Sequence, residues 1–465
     1  MEISPLVTAI TPLPHQWQTV EFLLSHKRCY NLSSCGSGKT LGSIIAMKAL
    51  YESGTEPRQL VVAPLSVIVS TWKDHLEQFA PSIPVMFLDN SGNRKKRAME
   101  LVNFKGIVII NPDGVQGLWH ELCTWRPGLL VIDELAGYYR NIKTNRWKAL
   151  AALIYKCQPG VWGFTGTPVT KNLMDSYAQC LLVNPKGFPQ TRTGRTMTYV
   201  QYRDRLMTNP APYVWVAKKD SLNLVYDVMQ PAIRFGREVM GGIKTPIRIR
   251  KDIPLTPEQK ALYAALLKDG LAKYGTAQIK AKEAMTLITK ATQIALGEVY
   301  DSAGKTVSIP SKPRLDALLD MFEEVEESPL IVAVPFVHTI LALAEHLRLL
   351  DYRVAVVYGE TPKPQRGEII KAFQAGEYDF LICHPKTLAH GVTLTRSHTV
   401  VWYGPLYDLE LYWQLCDRIF RYGQTEQPLI VEFSSTPIEN RIYAALHGKE
   451  KLGGTYLELF GGTTK

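Results

Sequence analysis

The sequence predicts an α/β protein built on two parallel-sheet domains, and three observations carry that prediction. Short apolar runs alternate with polar or helix-patterned stretches in two separate segments. A chain of 465 residues exceeds what one ordinary core holds. A stretch of different composition lies between the two segments. In the first segment, residues 29–183, the runs "LVVAPL", "GIVIIN", "LLVID" and "VWGFTG" are candidate buried strands. In the second, residues 247–433, the candidates are "LIVAVP", "RVAVVYG", "FLICHP", "TVVWYG" and "LIVEF". Alternation of this kind argues for parallel sheets covered by helices. The interval 185–245 is richer in Tyr, Arg and Pro and reads as irregular and helical. The expected division is therefore 1–184, 185–245 and 246–465.

Composition narrows the class. Hydrophobic residues make up 46% and charged residues 21%, a soluble globular balance. No apolar run approaches the ~20 residues that span a bilayer. The opening "MEISPLVTAITPLPHQW" lacks the basic region and apolar core of a secretion signal. Seven cysteines contain no C-x-x-C pair, so a reduced compartment is expected and a zinc site is not.

The formal charge of +10 is concentrated. Residues 186–251 hold thirteen Lys or Arg against four Asp or Glu, an excess of nine. Such a block favours a polyanion, most simply nucleic acid, although a solvated surface is the plain alternative. Tyr199, Tyr202, Tyr213 and Trp215 lie within it; aromatics of this kind stack on bases or belong to a core.

"NLSSCGSGKTLGSI", residues 31–44, carries the clearest chemistry. Gly36, Ser37, Gly38, Lys39 and Thr40 form a tight turn opening an apolar helical run. In that geometry backbone N–H groups and a helix dipole hold phosphate oxygens. Lys39 would reach the β- and γ-phosphates of ATP, and Thr40 would ligate Mg²⁺. Ser33 stands where the usual pattern has its first glycine. "LLVIDELAG" puts Asp133 and Glu134 at the end of an apolar strand, where open α/β sheets keep their chemistry. Asp133 is expected to hold Mg²⁺ through water, and Glu134 to activate the attacking water. "GFTGTP", residues 163–168, offers a turn of small hydroxyl residues that could sense the γ-phosphate.

With these residues in hand, the chain resembles helicase superfamily two, and within it the Swi/Snf-type ATPases. "PHQWQTVEFLL" is similar to the motif that reads adenine, with Gln16 matching. "VVAPLSVIVSTWKDHLEQF" resembles motif Ia, Trp72 included. "HGVTLTRSHTVVWYG" resembles motif V, with Gly391 matching and His390 beside it. "YWQLCDRIFRYGQTEQP" matches Q-x-x-x-R-x-x-R-x-G-Q through Gln414, Arg418, Arg421, Gly423 and Gln424. The likeness spans residues 13–433, and "GTPVTKNLMDSYAQCLLVNP" further suggests the compact forms of bacterial viruses. One departure is Ala136, which stands where motif II usually has histidine.

The resemblance implies two RecA-like lobes with a helical basic insertion, and ATP and Mg²⁺ as cofactors. It implies that Arg418 and Arg421, with Gln414, act from the second lobe as arginine fingers on ATP held by the first. Their spacing of three would also put both arginines on one face of a helix. DNA, duplex or branched, is the expected partner, with Arg192, Arg195, Lys218, Lys219, Arg234 and Arg237 among its backbone contacts. The implied activity is an ATP-dependent DNA translocase. The alternatives are a strand-separating helicase, a nucleic-acid clamp without catalysis, and an RNA-stimulated ATPase. The expected location is intracellular: a bacterial cytoplasm or nucleoid, or a host cytoplasm for a viral protein.

Overall fold

The computed structural model describes residues 12–448 except 35, 89–98, 170–172, 192, 212–213, 237–238, 240–243, 275, 281–283, 327, 389–391 and 421–423. The described chain divides into two compact units, one ending at residue 239 and the other starting at 244.

The first unit is built on a parallel seven-stranded sheet. Its strands are β1 (Arg28–Asn31), β2 (Arg58–Val62), β3 (Val85–Leu88), β4 (Gly106–Ile110), β5 (Leu129–Ile132), β6 (Gly160–Phe164) and β9 (Ala232–Ile233). Their order is β3-β4-β2-β5-β6-β1-β9, and every pairing is parallel. All residues of β4, β5 and β6 are buried, as a strand covered on both faces requires. Two apolar cores lie on the two faces. One contains Val20, Ile44, Trp72 and Val131, and the other contains Tyr30, Val62, Ile132 and Leu153.

The interval 185–245, expected to be irregular and helical, holds two α-helices and, in addition, three short strands among its described residues. Helix Tyr199–Leu206 starts at a Thr198–Gln201 capping box. It leads into an antiparallel hairpin of β7 (Met207–Ala211) and β8 (Val214–Ala217), and helix Ser221–Val228 follows. β9 then joins the main sheet beside β1, with Tyr30 opposite Ala232 and Asn31 opposite Ile233. Phe188, Tyr202, Leu206, Val225 and Met229 are buried in the same core as Tyr30 and Val161, so this stretch packs on the first unit. Tyr202 is thus core. Trp215 instead lies under the Arg203 guanidinium, 3.9 Å from its ring centre.

The second unit has a parallel six-stranded sheet of order β10-β19-β18-β15-β17-β16. These strands are β10 (Ile247–Asp252), β15 (Leu330–Ala333), β16 (Val354–Val357), β17 (Phe380–Cys383), β18 (Thr399–Trp402) and β19 (Leu429–Ser434). A smaller module interrupts the alternation after β10. It comprises helix Pro257–Asp269, hairpin β11 (Leu271–Tyr274)–β12 (Ala277–Lys280), helix Ala284–Leu296 and hairpin β13 (Glu298–Tyr300)–β14 (Thr306–Ser308). Its own core holds Leu262, Leu266, Ile279, Ile294 and Val299. No helix among the described residues is long and apolar enough to cross a membrane.

Candidate nucleotide site

Sheet order brings three sequence motifs together. β5, β6 and β1 are neighbours and parallel, so their carboxyl ends share one edge of the sheet. The glycine-rich loop leaves β1, Asp133 leaves β5 and Thr165 leaves β6. Ligands of open α/β sheets bind at such an edge.

The loop after β1 is shaped by Gly36 and Gly38, whose φ angles of 81° and 79° are left-handed. A Cβ on Gly38 would also lie 2.0 Å from Gln16 Nε2, so the loop and the Gln16 amide are in direct contact. Helix Pro14–Ser25 is held there by His15, whose Nε2 donates to the Ser37 carbonyl at 2.8 Å. Gln16 Oε1 accepts the Leu13 N–H at 2.8 Å, which fixes the start of that helix. Lys39 opens helix Lys39–Glu52, and its Nζ donates to the Ser33 and Ser34 carbonyls at 2.7 and 3.0 Å. Its ammonium is therefore centred over the loop.

Asp133 is 8% exposed, and both its oxygens are occupied. Oδ2 accepts Trp72 Nε1–H at 2.9 Å, and Oδ1 accepts the Glu134 N–H at 3.0 Å. Burial and the neighbouring Glu134 charge push this carboxyl up to about 6. Trp72, Lys39 and the Glu134 N–H oppose that rise. Glu134 takes a left-handed backbone, φ 51°, as it caps the short helix Leu135–Tyr139. Ala136, in that helix, is fully buried.

Thr165 completes the edge. Its N–H bonds the Asn31 carbonyl at 3.1 Å, and Asn31 Oδ1 accepts the Ser33 N–H at 3.1 Å. Asn31 thus ties the phosphate loop to the "GFTGTP" turn. The far side of the loop is tied to the end of β9: Ser34 N–H bonds the Phe235 carbonyl at 2.9 Å, and Phe235 N–H bonds Ser33 Oγ at 3.0 Å. The Phe235 ring also packs on His15, with centroids 5.5 Å apart. Serine in place of the first glycine has a use here, since its hydroxyl accepts a backbone N–H that lies 202 positions away. Sequence reading passed over His15, Asn31 and Phe235. Only the departure at Ser33 hinted at that contact.

In the second unit, Gln414 sits in helix Leu409–Cys416 and is 3% exposed. Arg418 corrects the expectation of two arginines on one helical face. The helix ends at Cys416, and Arg418 lies beyond it, 4% exposed. Its Nε donates to the Gln414 carbonyl at 2.7 Å and its Nη1 to the Val392 carbonyl at 3.1 Å. The Leu394 N–H bonds the Arg418 carbonyl at 3.0 Å, which draws the chain out of the helix towards the 392–397 stretch. Gln424 reinforces the junction through the Thr395, Ser397 and Ile419 carbonyls. Arg421, Gly423, His390 and Gly391 lie outside the described residues.

Of the expected nucleic-acid contacts, Arg192 and Arg237 also lie outside the described residues. Arg195 is exposed in a turn closed by Thr191. Lys218 and Lys219 are exposed at the base of the β7–β8 hairpin, and Arg234 is half-buried beside Phe235. The basic block also divides: Arg250 pairs with buried Glu432 at 3.0 Å, and Lys251 pairs with Glu324 at 3.2 Å.

A parallel sheet with a phosphate loop beside an Asp-Glu pair at its carboxyl edge defines the class of P-loop nucleotide-binding proteins. Comparison with known proteins narrows this. Residues 15–296 match the SNF2-related domain, and residues 313–423 match the helicase conserved C-terminal domain. The chain belongs to the SNF2-related family and is a compact, phage-like ATPase of helicase superfamily two. It is 26% identical over 428 residues to protein p41 of Acyrthosiphon pisum secondary endosymbiont phage 1, covering 90% of this chain and 89% of that protein. It is 23% identical to the chromodomain-helicase-DNA-binding protein 1-like of Danio rerio, and 22% identical to the ATP-dependent DNA helicase DDM1 of Arabidopsis thaliana. Each match covers 97% of this chain, but only 44% and 62% of those longer relatives. Among solved structures it is similar to the Sulfolobus solfataricus SWI2/SNF2 ATPase core in complex with dsDNA. That likeness has a TM-score of 0.47 and 20% identity over 97% of this chain and 94% of the other.

Proposed function

We propose that the chain is a DNA-stimulated ATPase that moves along duplex DNA and remodels the DNA or protein bound to it. The observation that carries this reading is the convergence of Lys39, Asp133 and Thr165 at one edge of the first sheet, in a chain of the SNF2-related family. DNA as the partner is supported by relatives named for DNA binding and DNA helicase activity. In this reading 1–184 is the nucleotide-binding lobe, 185–245 the basic insertion and 246–465 the second lobe.

The residues present fit Mg²⁺ and ATP. A carboxyl pushed up to about 6 complements a cation, and an ammonium over a glycine-rich turn complements an anion. Backbone N–H groups of Gly36, Ser37 and Gly38, with Lys39, would hold the phosphates. Thr40 and Asp133 would hold the metal, and Gln16 the adenine. Magnesium-bound ATP supplies a phosphoanhydride whose developing charge is shared with the metal. Glu134 orients and deprotonates water. Arg421 offers its guanidinium to the transition state, together with Gly391 and Gln414. Arg418, buried against the Val392 carbonyl, holds that region in shape.

The test is phosphate release with and without duplex DNA. Wild type should be stimulated by DNA, and Lys39→Ala should lose about 10²-fold or more in turnover. Equal, negligible release by both proteins would leave a nucleic-acid clamp without catalysis.

A further inference from the structure

A cleft of about 460 Å³ opens in the second unit, between the small module and helices Lys312–Glu324 and Val337–Leu349. That volume is within the ~300–1,000 Å³ of small-molecule pockets. Glu298, at the start of β13, lines it and is 7% exposed. Its Oε2 accepts the Ser308 hydroxyl at 3.0 Å across the β13–β14 pair. Among the described residues no other side chain donates to this carboxyl, and no Lys or Arg forms an ion pair with it. A second lining group is unsatisfied. Thr339 is 2% exposed, and its hydroxyl has no partner among the described residues. Buried carboxylates are ordinarily paired, because an uncompensated charge away from water is costly. Burial pushes the Glu298 carboxyl up, with His346 at the rim opposing. The remaining walls are largely apolar, formed by Leu296, Ile309 and Leu343.

Lys312 also lines the cleft, but its ammonium is taken up by Asp316 at 2.7 Å. What Glu298 lacks is therefore a cationic N–H donor, and the walls suit one attached to an apolar body. We propose that it binds a small organic amine, whose ammonium pairs with Glu298 and bonds Thr339, and whose hydrocarbon part lies against Leu296, Ile309 and Leu343. The site is separate from the phosphate loop and does not rest on the nucleotide reading.

Benzylamine is a suitable probe and benzyl alcohol its uncharged control, with binding to the full chain measured by calorimetry. Two variants locate the site: Glu298→Gln keeps shape and the Ser308 hydrogen bond but removes the charge, and Ala342→Phe fills the wall while keeping Glu298. Wild type should bind benzylamine saturably, and benzyl alcohol about tenfold more weakly or worse. Glu298→Gln, with its circular dichroism and melting preserved, should lose about tenfold in benzylamine affinity, and Ala342→Phe should lose binding. Absence of saturable binding to wild type overturns the proposal. So does equal affinity in either folded variant, and should Glu298→Gln fail to fold, Ala342→Phe decides.

Discussion

Asp133 shows how one residue's surroundings set both stability and chemistry. Its carboxyl is pushed up to about 6 from the ordinary 3.8 by burial and by Glu134. A carboxyl raised on folding binds its proton more tightly in the native state. Its ionisation therefore destabilises the fold: the penalty is absent below about 3.8, grows as pH rises, and is complete above about 6. Without nucleotide, Asp133→Asn should accordingly gain about 1–2 kcal/mol of stability relative to wild type as pH rises from 4 to 7.5. That gain comes on top of a pH-independent loss from setting its amide N–H against the Trp72 or Glu134 donor, and ATP turnover should be lost. Melting curves from pH 4 to 8 check this, and the gain should disappear towards pH 4. Lys39, Asp133 and Glu134 were legible because phosphate and metal chemistry restricts residue type at short spacing. Trp72 was legible only as a motif match. Its hydrogen bond to Asp133 joins positions 61 apart, a relation that folding creates and local pattern does not encode.

Among the elements, the nine apolar runs read from sequence all became strands, because residues buried on both faces of a parallel sheet must be apolar throughout. The elements that escaped notice carry weaker patterns. β9 has two residues, and β10 alternates charge with isoleucine at an edge of its sheet. The 257–308 module is held by a small core of its own rather than by strand–helix alternation. The Arg418 region failed for another reason. Spacing of three reads as a helix, yet hydrogen bonds from Leu394 and to Val392 end the helix two residues earlier. The two arginines should therefore behave differently. Arg418→Ala removes the donor from the Gln414 carbonyl and from the half-buried Val392 carbonyl and should lower the stability of the second unit by about 1–3 kcal/mol. Arg421→Ala should leave melting and ATP affinity nearly unchanged while cutting turnover by about 10³-fold. Melting curves, nucleotide titration and single-turnover hydrolysis separate the two roles. Equal melting losses would assign both arginines to structure.

For the whole molecule, charge is informative only once it is located. The basic excess of residues 186–251 is diminished at its end, where Arg250 and Lys251 are paired with acids of the second unit. The remainder packs on the first unit, with Lys218 and Lys219 exposed at the hairpin base. If these lysines neutralise two phosphates, Lys218→Glu with Lys219→Glu should weaken duplex binding and flatten the log–log salt slope by about 2. An unchanged slope would put the nucleic-acid path elsewhere. The central claim is that hydrolysis drives this chain along a duplex, and displacement of a third strand from blunt-ended duplex DNA tests it most directly. Wild type with ATP and Mg²⁺ should strip the third strand, while Lys39→Ala, or wild type without ATP, should leave it bound. Brisk DNA-stimulated hydrolysis with no displacement on any duplex length would contradict the account.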